Sequence, residues 1–172
     1  MMEKSMLRIA GTLSHSYVNG PGIRYCIFTQ GCPHHCTDCQ NPETWDLSGG
    51  QEIDANDIIR DILTTKHLQG ITLSGGDPFI QPKPCADIAA AAKQNGLDVW
   101  CYTGFTWERL LEMQAENQDI HDLLISIDVL VDGKFDKDLM NGDHIYRGSS
   151  NQRLIDVTKS ISKNEATLMD IH

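Results

Sequence analysis

The sequence predicts an α/β fold: an incomplete, open βα barrel with a mostly parallel sheet. Three observations predict it. Segments with strand-like and helix-like apolar periods alternate along the chain, as βα units do. The 172 residues leave room for about five such units at roughly 30 residues each, short of the about 250 of a closed eightfold barrel. The cysteine-rich loop, "SGGDP", "TG" and "DGKF" each directly follow a predicted strand. That is where the loops of a parallel α/β sheet gather around a site.

In chain order, "MLRIAGTL" (6–13) and "IRYCIFT" (23–29) have the β-branched and aromatic content of strands. "DANDIIRDILTT" reads as a helix capped by Asp54, because Ile58, Ile59, Ile62 and Leu63 make one apolar stripe. "GITLSGG" is a short buried strand running into glycines. "PCADIAAAAKQNG" is a helix with Pro84 in its first turn and Gly96 just past its end. "LDVWCYTG" is the next strand, and Thr106 caps a helix beginning "TWERLLEMQ". "LLISIDVLVDG" reads as one strand closing at Asp132-Gly133, and "QRLIDVT" (152–158) as the last strand. One domain over 1–172 is expected, with a polar and loosely held tail at about 159–172.

Composition narrows the function. The chain is 40% hydrophobic and 22% charged, the balance of a soluble globule. Fourteen Lys and Arg stand against 24 Asp and Glu, a formal charge of -10. Such a surface repels phosphate backbones and argues against nucleic acid as partner. No apolar run approaches the roughly 20 residues of a membrane span. The N-terminal stretch lacks a signal-peptide pattern, so a cytoplasmic protein with reduced thiols is expected. Six cysteines in that setting point to metal or redox chemistry. Cys26, Cys85 and Cys101 sit singly among apolar residues and read as small buried hydrophobes.

The other three cysteines lie together in "GCPHHCTDCQNPETW" (31–45): Cys32, Cys36 and Cys39, with Pro33, two histidines, Thr37, Asp38 and Gln40 among them. This is a poor core composition. A structural zinc site wants four closed ligands, and the fourth would have to come from His34 or His35, wedged between the first two thiols. A c-type haem is excluded because Gln40 stands where its attachment motif needs histidine. A cubane iron–sulfur cluster uses four thiolates for full ligation. Three would leave one iron open to an exchangeable ligand, as catalytic zinc sites do.

The C-x3-C-x2-C spacing of "CPHHCTDC" resembles the signature of the radical S-adenosylmethionine (SAM) superfamily. The resemblance implies a [4Fe-4S] cluster held by Cys32, Cys36 and Cys39. Its open iron would chelate the methionine part of SAM, and reduction would yield a 5′-deoxyadenosyl radical. Asp38 occupies a position where the superfamily often has an aromatic residue. "ITLSGGDP" (71–78) resembles the glycine-rich strand end that holds the methionine amino group. Gly75 and Gly76 would let carbonyls approach an ammonium, and Asp77 would add negative charge nearby. Cofactor contacts are expected from Asp38, Cys39, Gln40 and Gly76.

The ordered set "NGPGIR", "GCPHHCTDCQNPETW", "SGGDP", "VWCYTG", "DVLVDGKF" and "RGSSNQR" resembles the activating proteins of anaerobic, class III ribonucleoside-triphosphate reductases over about residues 17–157. That resemblance implies a radical SAM fold and an activase with one cluster, which makes a glycyl radical on the reductase large subunit and takes electrons from a flavodoxin-like donor. A small-molecule radical SAM enzyme, such as a 7-carboxy-7-deazaguanine synthase, and a non-catalytic metal-binding module are the competing readings. Asn41 and Pro42 shape the exit toward Trp45, a packing residue, while Tyr102, Thr103 and Gly104 line a ribose or merely end a strand. Asp132 serves the site or a turn. Arg24 and Arg147 face the cofactor carboxylate or an acidic partner. His15, His34, His35 and His144 are read as solvated or structural, and His67 and His121 as helix-surface residues.

Overall fold

The computed structural model describes residues 4–37, 39, 42–140 and 146–169. It is a mixed α/β structure. The strands are β1 (Met6–Ser16), β2 (Arg24–Thr29), β3 (Gln51–Asp54), β4 (Gly70–Gly75), β5 (Asp98–Tyr102), β6 (Val129–Asp132) and β7 (Arg153–Asp156). The helices are α1 (Ala55–Thr64), α2 (Pro82–Gln94), α3 (Trp107–Gln114), α4 (Gln118–Ile125) and α5 (Val157–Lys163). One seven-stranded sheet runs in the order β3-β1-β2-β4-β5-β6-β7. The centre, β2-β4-β5-β6, is parallel, and the flanking pairs β3-β1, β1-β2 and β6-β7 are antiparallel.

Alternation of side chains across the strands makes two different faces. Tyr25, Ile27, Ile71, Leu73, Val99, Cys101, Leu130 and Ile155 join one core with Ile58 and Ile62 of α1, Ile88 and Ala89 of α2, Leu110 of α3 and Leu123 of α4. On the other face Trp100, Val129, Val131 and Leu154 form a smaller cluster with Tyr102, Tyr146 and Met169. No helical residue contributes to that second cluster among the described residues. The helices therefore cover one face, while strand side chains and loops build the other.

The expected caps are in place: Asp54 accepts from the Asn56 amide and Thr106 from that of Arg109. The run expected as one strand over 123–133 is instead two elements. Asn117 caps α4 by accepting from the Asp119 amide, and Ile120, Leu123 and Leu124 bury at helical spacing. The helix ends at Ser126, and the strand begins only at Val129. A short apolar run satisfies both periods, and the polar cap upstream is the feature that separates them. The edge strand β3 has no counterpart in the sequence reading, because "QEID" is polar and only half-covered.

The last strand is shorter than 152–158, since Asp156 caps α5 by accepting from the Lys159 amide. Past that helix the chain pairs with the sheet edge as far as Met169. Asp156 donates its amide to the Thr167 carbonyl at 2.9 Å and Met169 its amide to the Leu154 carbonyl at 2.7 Å, with a bridge between Ile155 and Leu168. The Thr167 amide reaches the buried Ser160 hydroxyl at 2.8 Å. Backbone pairing holds this segment where polar composition alone suggested a tail. Truncation after Asn164 removes these bonds, and at about 1 kcal/mol each the urea midpoint of the metal-free protein should fall by the equivalent of about 1–3 kcal/mol. An unchanged midpoint would show that the return segment contributes nothing.

Candidate metal centre

The cysteine loop leaves the end of β2 through a closed neck. Gly31, at a φ of +109°, donates its amide to the Thr44 carbonyl at 2.6 Å, and Cys32 donates to the Trp45 carbonyl at 3.2 Å. Gln30 spans the same neck, its Nε2 donating to the carbonyls of Glu43 and Asp46. The glycine-rich strand end packs directly beneath. Gly76 donates to the Thr29 carbonyl and Asp77 to the Gly31 carbonyl, each at 2.8 Å. A β-carbon on Gly76 would run into the Gly31 carbonyl oxygen. Glycine is thus required at 76 by close approach of two backbones, and a larger residue there would push the cysteine loop itself.

Cys32, Cys36 and Cys39 are half-buried and on the wall of one cavity of about 360 Å³. Ser74, Gly75, Gly76, Thr103 and Gly104 line the same cavity, as do Phe28 and Tyr102 from the strands and Gly133, Phe135 and Arg147 from later loops. Burial pushes the Cys32 thiol up, opposed by the amides of His34 and His35. Burial also raises Cys36, opposed by the Phe135 amide and, less, by the charge of Lys134. Amides aimed at sulfur and a nearby cation suit thiolates. Cys26, Cys85 and Cys101 have no exposed surface, as expected. Burial lifts Cys26 to about 12 and raises Cys85 and Cys101 as well. Among the described residues no three His, Cys, Asp or Glu side chains close on a single metal ion.

Asp38, Gln40 and Asn41 lie outside the described residues, as does His144. Gly76 is on the cavity wall. Asp77 is not. Its carboxylate is fully buried and caps the short turn of helix at Pro78–Ile80, accepting from the Phe79 amide at 3.0 Å. It also accepts from Thr103 Oγ1 at 2.9 Å, the Gly104 amide at 3.0 Å and His34 Nε2 at 2.6 Å. His34 is consequently not solvated; only 5% of its side chain is exposed. His35 stacks flat on Trp45, with ring centroids 4.6 Å apart, so Trp45 packs within the loop. His67 lies past α1 in a turn, with a φ of 70°.

Arg24 does not line this cavity. It stands level with Gly70 and Asp98 at the opposite ends of the parallel strands, fully buried. It donates to Thr72 Oγ1, to the carbonyls of Pro21 and Ile71, and to Asp98 at 2.5 Å, with Trp100 under its guanidinium. Asp132 is likewise structural: it accepts from the Trp107 amide at 2.8 Å and from Arg153 at 2.6 Å, tying α3 to β7. Arg147 does line the cavity, with Nη1 on the Gln152 carbonyl. In the same segment Gln152 accepts from the amides of Gly148 and Ser149 and donates to the Gly133 carbonyl. The "RGSSNQR" stretch therefore folds on itself and clamps the loop after β6.

A family profile described as a 4Fe-4S single cluster domain matches residues 18–155. Proteins named anaerobic ribonucleoside-triphosphate reductase-activating protein are 44% identical in Salmonella typhimurium and 42% identical in Escherichia coli K12 over 144 residues, 78% of this chain and 89% of each relative. One from phage T4 is 33% identical over 156 residues, 87% of this chain and 94% of the relative. The chain belongs to this family of activating proteins. The range matched by the 4Fe-4S profile includes the three cavity cysteines.

Within this member of the activating-protein family the two groups of thiols should separate chemically. A neutral alkylating reagent, applied to reduced, metal-free protein near neutral pH, should label Cys32, Cys36 and Cys39. Cys26, Cys85 and Cys101 should react only after denaturation, because burial suppresses both access and thiolate. Peptide mapping reads the result; native labelling of Cys101 would contradict this burial.

Proposed function

We propose that this chain is a radical SAM activase that uses a reduced [4Fe-4S] cluster and SAM to generate a glycyl radical on the large subunit of the anaerobic ribonucleoside-triphosphate reductase. One observation carries the reading. Three thiols in C-x3-C-x2-C spacing share one cavity with a glycine-rich strand end, in a chain whose relatives bear the activating-protein name. The donor set fits a multi-iron cluster, which does not ask three sulfurs to meet at one ion. Together, the bound cluster and SAM supply the reductive cleavage that takes hydrogen from a glycine and leaves methionine and 5′-deoxyadenosine.

The chain's own residues would do the rest. Cys32, Cys36 and Cys39 anchor the cluster at three corners. The Ser74–Gly76 strand end borders the space for the methionine part of SAM, and the absence of side chains at 75 and 76 lets the Thr29 and Gly31 backbones close against it. Asp38 and Gln40 flank the third ligand and contact the cofactor in this reading. Phe28 and Tyr102 give the cavity an apolar floor, and Arg147 a positive group on its wall. The face of the sheet without helices leaves an approach for a protein loop, where an enzyme of small molecules would enclose its substrate. An open βα barrel, a cytoplasmic setting and a flavodoxin-like electron donor belong to the same reading.

Anaerobic reconstitution followed by a cleavage assay tests it. About four irons per chain with a brown colour, release of 5′-deoxyadenosine on reduction, and a glycyl-radical resonance signal in the reductase are expected. Cys36→Ser should lose the cluster and all cleavage while its metal-free form still unfolds cooperatively, because the sheet core lies elsewhere. Cleavage retained in that variant would remove Cys36 from the ligand set. One zinc per colourless chain would overturn the activase reading.

A further inference from the structure

We propose that Asp77 and His34 form a latch that fixes the cysteine loop to the glycine-rich strand end, so that the positions of the thiols relative to that strand end are set by protein contacts and not by the cluster alone. The inference rests on the three cysteines being cluster ligands. His34 and Asp77 are positioning residues here.

The argument begins with the buried carboxylate. Asp77 has no exposed surface, and an ionised carboxylate in that position persists only when donors surround it. Both its oxygens accept from Thr103 Oγ1, one also from the Phe79 amide, the other also from the Gly104 amide and His34 Nε2. An ionised carboxylate only accepts, so with Asp77 in that form the shared proton sits on His34 Nε2. Four of those five contacts come from the Asp77 turn itself and from the end of β5. The contact from His34 is the one that comes from the cysteine loop.

His34 stands two residues from Cys32 and two from Cys36. Its ring packs edge-on against Phe105 at 4.5 Å and 76°. It also lies on the backbone of Gly104, where a β-carbon would run into the ring. Past their last paired residues β2, β4 and β5 no longer hold one another by ladder bonds. The Asp77 carboxylate joins the three segments that follow them. The neck bonds of Gly31 and Cys32 hold the base of the loop, and His34 holds the part between the first two thiols. His34 lies in the loop after β2, outside the strands and helices, so its loss should release the loop without dissolving the sheet.

The test uses the full chain as wild type, His34→Ala and His34→Gln. Hydrogen exchange of the metal-free wild type comes first: the amides of His34 and His35, which face the Cys32 sulfur, should be protected and should open together with those of Phe79 and Gly104. In His34→Ala they should lose that protection while the core amides keep theirs. After loading with ferrous iron and sulfide, His34→Ala should surrender iron to a chelator about tenfold faster. It should also require about tenfold more SAM to perturb the resonance spectrum of the reduced cluster, the equivalent of about 1.4 kcal/mol. His34→Gln, whose amide can donate to Asp77, should recover most of both. Loop amides that exchange freely in the wild type would overturn the latch, and this outcome holds even if His34→Ala fails to fold. Equal iron retention and SAM affinity in wild type and His34→Ala would overturn it too. Normal latch behaviour without 5′-deoxyadenosine release would leave the latch supported and reject the activase.

Discussion

Everything at the site depends on four parallel strands ending at the same edge of the sheet. Parallel neighbours require crossovers, and right-handed crossovers of consecutive units return over the same face. Here α1 to α4 all contribute to the core on one side of the strands. The other side is left to Trp100, Val129, Val131 and Leu154 and to the loops beyond them. The cavity lies where that face meets the C-terminal strand ends. The three thiols, the glycines and Arg147 come from segments far apart in the chain and share it for that reason.

The antiparallel additions have a different job. β1 and β3 extend the sheet beyond β2, and β1 carries Arg8, whose guanidinium donates to the carbonyls of Ser48 and Gly49 at the base of the cysteine loop's return. At the other edge β7 pairs with β6, and Arg153 joins Asp132 to Glu108. Gln152 and Asn151 then hold the loop after β6 through the carbonyls of Gly133 and Lys134. These polar contacts do for the loops what apolar packing does for the strands. Loop backbone cannot enter the core with its amides unpaired, so side chains such as Gln30, Gln81 and Gln152 supply the missing partners. Gln30 and Gln81 in that role carry no pattern that stands out in the sequence.

Two buried arginine and aspartate centres separate stabilising charge from chemistry. Arg24 with Asp98, and Asp132 with Arg153, bring opposite charges together in places cut off from solvent on one side. Each also bonds backbone, the Ile71 carbonyl in the first case and the Trp107 amide in the second. Buried pairs of this kind give little net stability over an apolar alternative, yet cost several kcal/mol to break singly. Their value lies in fixing which strand ends and helix starts meet.

The sequence by itself determined the alternation of strands and helices, the caps at Asp54 and Thr106, the buried character of the three scattered cysteines, and the cluster of three thiols after β2. Those features are local: periodicity, capping chemistry and spacing act over a few residues. Only the tertiary structure decided that the 118–125 stretch coils before β6, that 167–169 returns to the sheet edge, and that Arg24 belongs to the far end of the strands. It also decided the roles of Asp77 and His34, residues 43 positions apart whose side chains meet because β2 and β4 are neighbours in register. A polar residue's partner is a matter of three-dimensional proximity, and a single sequence encodes that only through the fold.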